Sequence, residues 1–117
     1  MFHVAIADDW DASVPFGSYE AATRGVLVGP GQPIRTTAAD GVQAVLDACY
    51  ADLALPLLLV ELDLAAVAEA GIPVVTDAAS GRVGIGDALP PGDPTIVVRT
   101  VPVPRVDGRW VAPELTR

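Results

Sequence analysis

The chain has 117 residues, a length that fits one domain with one modest hydrophobic core. Hydrophobic residues make up 51% of the chain, which argues against extended disorder, and a formal charge of -8 makes DNA and RNA poor candidate partners. All seven basic residues are arginines, and a single cysteine excludes an internal disulfide. The apolar run LALPLLLV is too short to span a bilayer, so no membrane contact is expected. We expect one cytoplasmic domain, residues 1–117, without a signal peptide.

The N-terminal part predicts a strand followed by a short helix. MFHVAI (1–6) is an apolar stretch typical of a strand. DDWDASVPFG predicts one or two helical turns, with Asp8 or Asp9 as the cap and with Pro15 and Gly17 at the end.

The next part predicts a further short strand over 26–28, a turn over 29–33 and the principal helix of the chain over 37–50. Apolar residues recur in that helix at i, i+3, i+4 and i+7, which gives one apolar stripe. Thr37 and Asp40 resemble a capping arrangement at its start.

The second half predicts mainly strands. LPLLLVELDL (55–64) indicates a buried central strand, AAVAEAG a short helix ended by Gly71, and IPVVTD another strand. A long loop is expected over 79–94, then the strand TIVVRTVPV and a hairpin that turns at Asp107-Gly108. The sum is a mixed α+β domain with five or six strands.

Several motifs favour a structural role. GRVGIG (81–86) runs into DALPPGDP, which cannot start a long helix, so a loop or a cleft wall is favoured over dinucleotide binding. Cys49 lies on the apolar face of the principal helix and is expected to be a buried thiol. One histidine and one cysteine exclude the usual zinc sets, and the acids near residue 9 lack calcium-loop spacing, so no metal site is expected.

Four residues allow either a structural or a functional role. His3 lies in the first strand, and Trp10 and Tyr19 could belong to the core or form an aromatic wall for a ligand. Glu61 lies on an otherwise apolar strand, so it is either a solvated surface acid or, if its face is covered, a candidate general acid or base.

The start of the chain, FHVA…W…GSYEAAT (2–23), resembles a family of small bacterial domains of unknown function, family 952. Its members open with a Tyr-His pair, then a Trp and a Gly-x-Tyr followed by a Ser. His3, Trp10, Gly17, Tyr19 and Thr23 occupy those places in this chain.

The later motifs of that family have counterparts in the same order along nearly the whole chain. QPIRTT and VQAVLDACY stand where the family has GFIHCS and a helix ending in Phe-Tyr, LLLVELDL resembles LLxID, and GIGDAL resembles HIYGxL. Arg35 therefore replaces a histidine, and Thr36 and Thr37 replace Cys-Ser. Gly84 and Gly86 replace a histidine and a tyrosine.

The resemblance implies an ADP-ribosyltransferase-like fold, in which two small antiparallel or mixed sheets and one principal helix form a cleft that holds NAD, with a first-strand histidine on the ribose. A groove near His3 is therefore expected. Exchange of an imidazole for the guanidinium of Arg35 installs a permanent cation. Glycines at 84 and 86 are expected to open space, so the cleft is either repurposed for an anionic or oxygen-rich ligand or degenerate.

The favoured hypothesis is a small-molecule pocket without metal, redox or other cofactor, which promotes a proton transfer, cyclisation or isomerisation in bacterial secondary metabolism. Arg35 would pair with an anionic oxygen, and His3 and Glu61 would handle protons. Trp10 and Tyr19 would shape the wall of the pocket.

Two alternatives stay open. The first is NAD-dependent ADP-ribosyl transfer, with His3 on a ribose and Glu114 or Asp93 as the catalytic acid. The second is a non-catalytic module that binds a partner or forms a homodimer. It would use TIVVRTV as an exposed edge strand.

Overall fold

The structure, a computed structural model, describes residues 1–23, 26–29 and 32–115. The first half contains β1 (Phe2–Ile6), α1 (Ala7–Phe16), β2 (Ala21–Thr23), β3 (Val26–Leu27), β4 (Ile34–Arg35) and a helical segment made of a 3-10 turn (Ala39–Gly41), α2 (Val42–Val45) and a π-helical turn (Leu46–Tyr50). The second half contains β5 (Leu57–Leu62), α3 (Leu64–Glu69), β6 (Val74–Thr76), β7 (Val83–Ile85), β8 (Val97–Pro102), β9 (Arg105–Val106) and β10 (Arg109–Trp110).

The strands of the described residues form two three-stranded sheets and two hairpins, and all their pairings are antiparallel. The first sheet has the order β1-β5-β8, and the second has the order β4-β7-β6. The hairpins are β2–β3 and β9–β10. The α+β class is confirmed, with more and shorter strands than the sequence predicted.

The first sheet is covered on both faces, which explains why its central strand β5 is nearly all apolar. Antiparallel pairing aligns Phe2 with Glu61 and His3 with Val60, so these two pairs lie on opposite faces. The face of Phe2 packs on the helical segment, where Val42 is fully buried. The other face contributes to a second apolar cluster built with α1, α3, β4 and β7.

The two sheets meet where the start of β1 approaches the end of β4. Phe2 and Thr37 form an isolated antiparallel bridge, with both backbone N–H···O bonds at 2.8 Å. Apart from this bridge, β1 and β4 do not pair with each other. The strand β1 pairs with β5, and β4 pairs with β7. An opening is left between the second sheet and the helical segment.

Both predicted helix starts differ in detail from the structure. The helix α1 begins at Ala7 with Ile6 as an uncapped N-cap, so Asp8 and Asp9 lie in its first turn and do not cap it. It ends as predicted at Gly17, which adopts a left-handed conformation with φ 84°.

The predicted principal helix begins at residue 39, and no side-chain cap bond forms there, so the capping arrangement expected from Thr37 and Asp40 is wrong. The hydroxyl of Thr37 donates to the carbonyl of Ala38. Its Oγ1 occupies the place where a Cβ of Gly41 would stand, which accounts for a glycine at the start of this helix.

Predictions for the second half hold except in one region. The expected loop over 79–94 is wrong at residues 83–85, which form β7, the central strand of the second sheet. The hairpin turn at Asp107-Gly108 is confirmed, with both residues at positive φ.

The turn predicted over 29–33 includes Pro30 and Gly31, which lie outside the described residues. No helix in the described part of the chain is long and apolar enough to cross a membrane.

Candidate functional site

The opening between the second sheet and the helical segment is a cleft of about 620 Å³. Its walls come from four parts of the fold: the first residues of β1, the end of β2, the strands of the second sheet with their flanking residues, and one side of the helical segment. This volume lies within the usual range for small-molecule sites. We therefore take the cleft as the candidate functional site.

His3 lies at the base of the cleft with both ring nitrogens engaged by protein groups. Its Nδ1 is 2.7 Å from the backbone carbonyl oxygen of Arg35, which can only accept, so Nδ1 carries a hydrogen and donates. Its Nε2 is 2.8 Å from the hydroxyl of Tyr19 and accepts from it. The imidazole is only 2% exposed. His3 therefore connects β1 to β4 and to the segment between α1 and β2.

The electrostatics of this pair favour neutral groups. Burial lowers the pKa of His3 to about 4, although the bond to the carbonyl of Arg35 offsets part of that shift. Burial also raises the pKa of Tyr19 above its usual range, and Tyr50 and Asp9 add to that shift. The imidazole and the phenol are therefore both uncharged at neutral pH.

Two cations and one anion stand among the described residues that line the cleft. The cations are Arg35, at the end of β4, and Arg82, just before β7. The anion is Asp77, whose pKa is lowered by a hydrogen bond from the side chain of Ser80 and by the backbone N–H of Ala79. Neither arginine lies within ion-pair distance of a carboxylate in the described part of the chain, although the charge of Arg82 helps to lower the pKa of Asp77. The cleft thus has a local positive excess in a chain of net charge -8.

The helical segment supplies an apolar wall of the cleft. Its contributing residues are Ala44, Val45, Ala48, Cys49 and Tyr50, and β1 adds Phe2 and Val4 beside them. The hydroxyl of Tyr50 donates to the carbonyl of Val4, so this ring presents mainly its apolar body to the cleft. The cleft therefore combines an apolar surface with positively charged side chains.

Three predicted threonines line the cleft. Thr36 donates its hydroxyl to the carbonyl of Val83 at 2.7 Å, which joins the end of β4 to β7. Thr37 donates to Ala38, as described above, and Thr23 stands at the end of β2. All three are partly exposed, and their hydroxyl oxygens retain acceptor capacity.

The two predicted glycines differ from each other in their surroundings. Gly84 lines the cleft in β7, but a Cβ added there would stand 2.8 Å from the Cβ of Pro33, so its place is already filled. The expectation that glycine opens space is therefore wrong at this position. Gly86 lies outside the cleft lining, and a Cβ added there would stand 3.3 Å from the Cβ of Pro73.

Three other predicted residues lie away from the cleft lining. Glu61 is 7% exposed on the helical face of the first sheet, where its carboxylate pairs with Arg99 at 2.7 Å. Trp10 belongs to the core and packs on Tyr19 with ring centroids 4.8 Å apart. Tyr19 donates a hydrogen bond to Nε2 of His3 but does not itself line the cleft. The structure brings together His3, Arg35 and the threonines, but not Glu61 or Trp10.

Sequence reasoning missed Arg82, Asp77 and the apolar residues Val75 and Val83, all of which line the cleft. Val75 and Asp77 lie in the predicted strand IPVVTD, which carried no functional prediction, whereas Arg82 and Val83 lie where a loop was expected. One signal was present: Val83 and Ile85 alternate with Gly84, which is the pattern of a short strand.

Comparisons with known protein families, curated proteins and solved structures give no match to this chain. The resemblance to family 952 and to the ADP-ribosyltransferase-like fold therefore stays a prediction. The chemistry of the cleft has to be derived from its own residues.

Proposed function

We propose that the chain binds a small organic anion in the cleft, with the anionic group at Arg35 and Arg82 and an apolar or ring-shaped body against the helical segment. The observation that carries this proposal is the pair of arginines without ion-pair partners among the described residues, facing a cleft with an apolar wall. A guanidinium presents a planar fork of donors that suits carboxylate and phosphate oxygens.

Charge explains the selectivity that such a cleft would have. The whole chain repels anions at long range because its formal charge is -8. Two guanidinium groups against one carboxylate, Asp77, reverse that sign within the cleft. An anion with an apolar body gains contact with Val45, Ala48 and Tyr50 as well, whereas a simple inorganic anion gains only the charge contacts.

The arrangement supports binding and charge stabilisation better than proton transfer by His3. A general base needs a free nitrogen within reach of its substrate, and both nitrogens of His3 are already bonded to Arg35 and Tyr19. Within this proposal, a cyclisation or isomerisation of the bound ligand would rely on Arg35 and Arg82, whose charges stabilise negative charge that develops on an oxygen.

NAD-dependent ADP-ribosyl transfer is a second candidate function. This candidate includes the proposal that the architecture is ADP-ribosyltransferase-like. Its support is the cleft beside two three-stranded antiparallel sheets with a histidine of the first strand at its base. The two acids named for it, Asp93 and Glu114, do not line the cleft, and Asp93 instead accepts bonds from Thr95 in a turn. Binding of an organic anion therefore remains the first proposal.

A titration with matched ligands tests the two candidates. The ligands are 1-naphthyl phosphate, uncharged 1-naphthol, ADP-ribose and NAD, with affinity measured by calorimetry and stabilisation measured by thermal unfolding. We expect 1-naphthyl phosphate to bind and to raise Tm, because a ligand that binds only the folded chain stabilises it. We expect 1-naphthol to bind at least about tenfold more weakly, since it makes no charge-assisted hydrogen bond.

Variants of the arginines locate the site. Arg35→Gln and Arg82→Gln should each weaken 1-naphthyl phosphate by about tenfold or more, and Arg105→Gln, which changes an exposed arginine outside the cleft, should leave the affinity unchanged. Equal affinity in all three variants would show that the anion binds elsewhere. Preference for NAD and ADP-ribose over 1-naphthyl phosphate would favour the nucleotide candidate.

A further inference from the structure

A second opening, here called the groove, lies between α1 and the β2–β3 hairpin and has a volume of about 540 Å³. Phe16 and Leu27 line it, together with Ala12, Tyr19 and Val26. The groove is separate from the cleft, since the two sets of lining residues do not overlap.

Phe16 and Leu27 are the most exposed large apolar side chains of the described residues, at 76% and 70%. A single exposed apolar residue is ordinary on a protein surface, but two large ones beside one concave surface are typical of an interaction site. Both stay exposed although the apolar core of the chain lies directly beneath, at Tyr19.

The charge around the groove restricts the partner. Asp9 and Glu20 line the groove, and none of its described lining residues is basic. Asp8 and Asp11 add exposed carboxylates on the same helix. A second copy of this acidic chain would bring like charges together, whereas a partner with lysine or arginine beside its apolar side chains would meet opposite charge.

We propose that the groove docks a basic amphipathic segment of another protein, with apolar side chains against Phe16 and Leu27 and basic side chains beside Asp9 and Glu20. This inference is independent of the ligand proposed for the cleft. The expected mode is the one in which a segment lays its apolar face into a groove and its charges at the rim.

A pair of labelled peptides tests the proposal on the full chain. The basic amphipathic peptide LKKLLKLLKKLLKL is compared with its acidic counterpart LEELLELLEELLEL and with SKKSSKSSKKSSKS, which keeps the same basic charge without apolar residues. Binding is measured by fluorescence anisotropy at about 50 mM and about 300 mM NaCl. We expect only the first peptide to bind at the higher salt concentration, since it combines apolar contact with opposite charge.

Substitutions identify the binding surface. Phe16→Ser and Leu27→Ser should each weaken the basic amphipathic peptide at least about tenfold, as expected for apolar anchors. Val106→Ser, which changes a valine that is 55% exposed elsewhere, should leave it unchanged. Asp9→Asn and Glu20→Gln should weaken binding at low salt, and Asp107→Asn, in the β9–β10 turn, should not.

Three results would overturn the proposal. The first is equal binding of the peptide to the Phe16, Leu27 and Val106 variants, which would place it elsewhere on the chain. The second is binding of the acidic peptide with the same affinity as the basic amphipathic peptide. The third is association of the chain with itself that Phe16→Ser abolishes, which would make a second copy of the chain the occupant of the groove.

Discussion

The hydroxyl of Tyr19 donates to Nε2 of His3 at 2.8 Å, and this bond fixes the role of the histidine. With Nδ1 donating to the carbonyl of Arg35, the imidazole is held as one neutral tautomer. His3 is therefore a buried connector between β1, β2 and β4, and the cleft receives the side chain of Arg35 from a backbone that His3 holds in place.

Protonation of His3 should destabilise the fold in acid. Above about pH 6.5 the imidazole is neutral in both the folded and the unfolded chain. As pH falls from there toward 4, the unfolded chain takes up a proton that the folded chain excludes, because the folded pKa is about 4. The free energy of unfolding should fall by about 2 to 3 kcal/mol by about pH 4.5.

Urea unfolding of the wild type and of His3→Gln at about pH 7.5 and pH 4.5 measures this difference, since glutamine does not titrate. Because the chain has one histidine, its ring resonances also report its pKa directly by NMR. A midpoint near the usual value, or an equal loss of stability in both proteins, would contradict the prediction.

Tyr19→Phe should lower the free energy of unfolding by about 1 to 3 kcal/mol, because it leaves a buried acceptor, Nε2 of His3, without its donor. The packing of the ring on Trp10 is kept in this variant. In a His3→Val background the same change should cost much less, since no acceptor remains to be satisfied. Equal costs in the two backgrounds of this double-mutant cycle would argue that the bond contributes nothing.

Arg99→Met should destabilise the chain by about 1 to 2 kcal/mol, because it removes an ionic partner of the buried carboxylate of Glu61. Arg109→Met is the matched control. It breaks the pair with Asp47, whose side chain is exposed, and such pairs contribute little. Chemical denaturation of both variants tests the ranking, and a larger effect at Arg109 would show that burial of the acid does not decide it.

Gly84→Ala should destabilise the chain by about 1 to 3 kcal/mol, because the new methyl would meet Pro33 at 2.8 Å and the carbonyl of Ile34 at 3.1 Å. Gly92→Ala offers the same change where nothing lies within 4 Å, and it should leave Tm unchanged or slightly raised. If both variants melt alike, the contact between β7 and Pro33 is looser than the structure has it.

Elements with local sequence signals could be predicted from the sequence. The strands β1, β5 and β8 show apolar runs, Gly17 and Gly71 end their helices, and Asp107-Gly108 turns a hairpin. The pairing of β4 with β7 could not be predicted, because it joins residues far apart in the chain and the strand β7 is centred on a glycine.

The same limit applies to the site. The resemblance drew attention to Arg35, Thr36 and Thr37 as candidate ligand-binding residues, and all three line the cleft. Arg82 was missed because its position depends on that distant pairing. Glu61 was predicted as a candidate general acid or base because it interrupts an apolar strand. The alternation of side chains along a strand does not tell which face of the sheet borders a cavity.

Tyr19 lines one opening of the molecule and forms a hydrogen bond with a residue that lines the other. Its ring lines the groove, while its hydroxyl supports His3 at the base of the cleft. A groove occupant that displaces this hydroxyl would change the affinity of the cleft for its ligand. Thermodynamic reciprocity would then require the cleft ligand to change the affinity of the groove by the same factor. One phenol would thus make the two openings a single linked system.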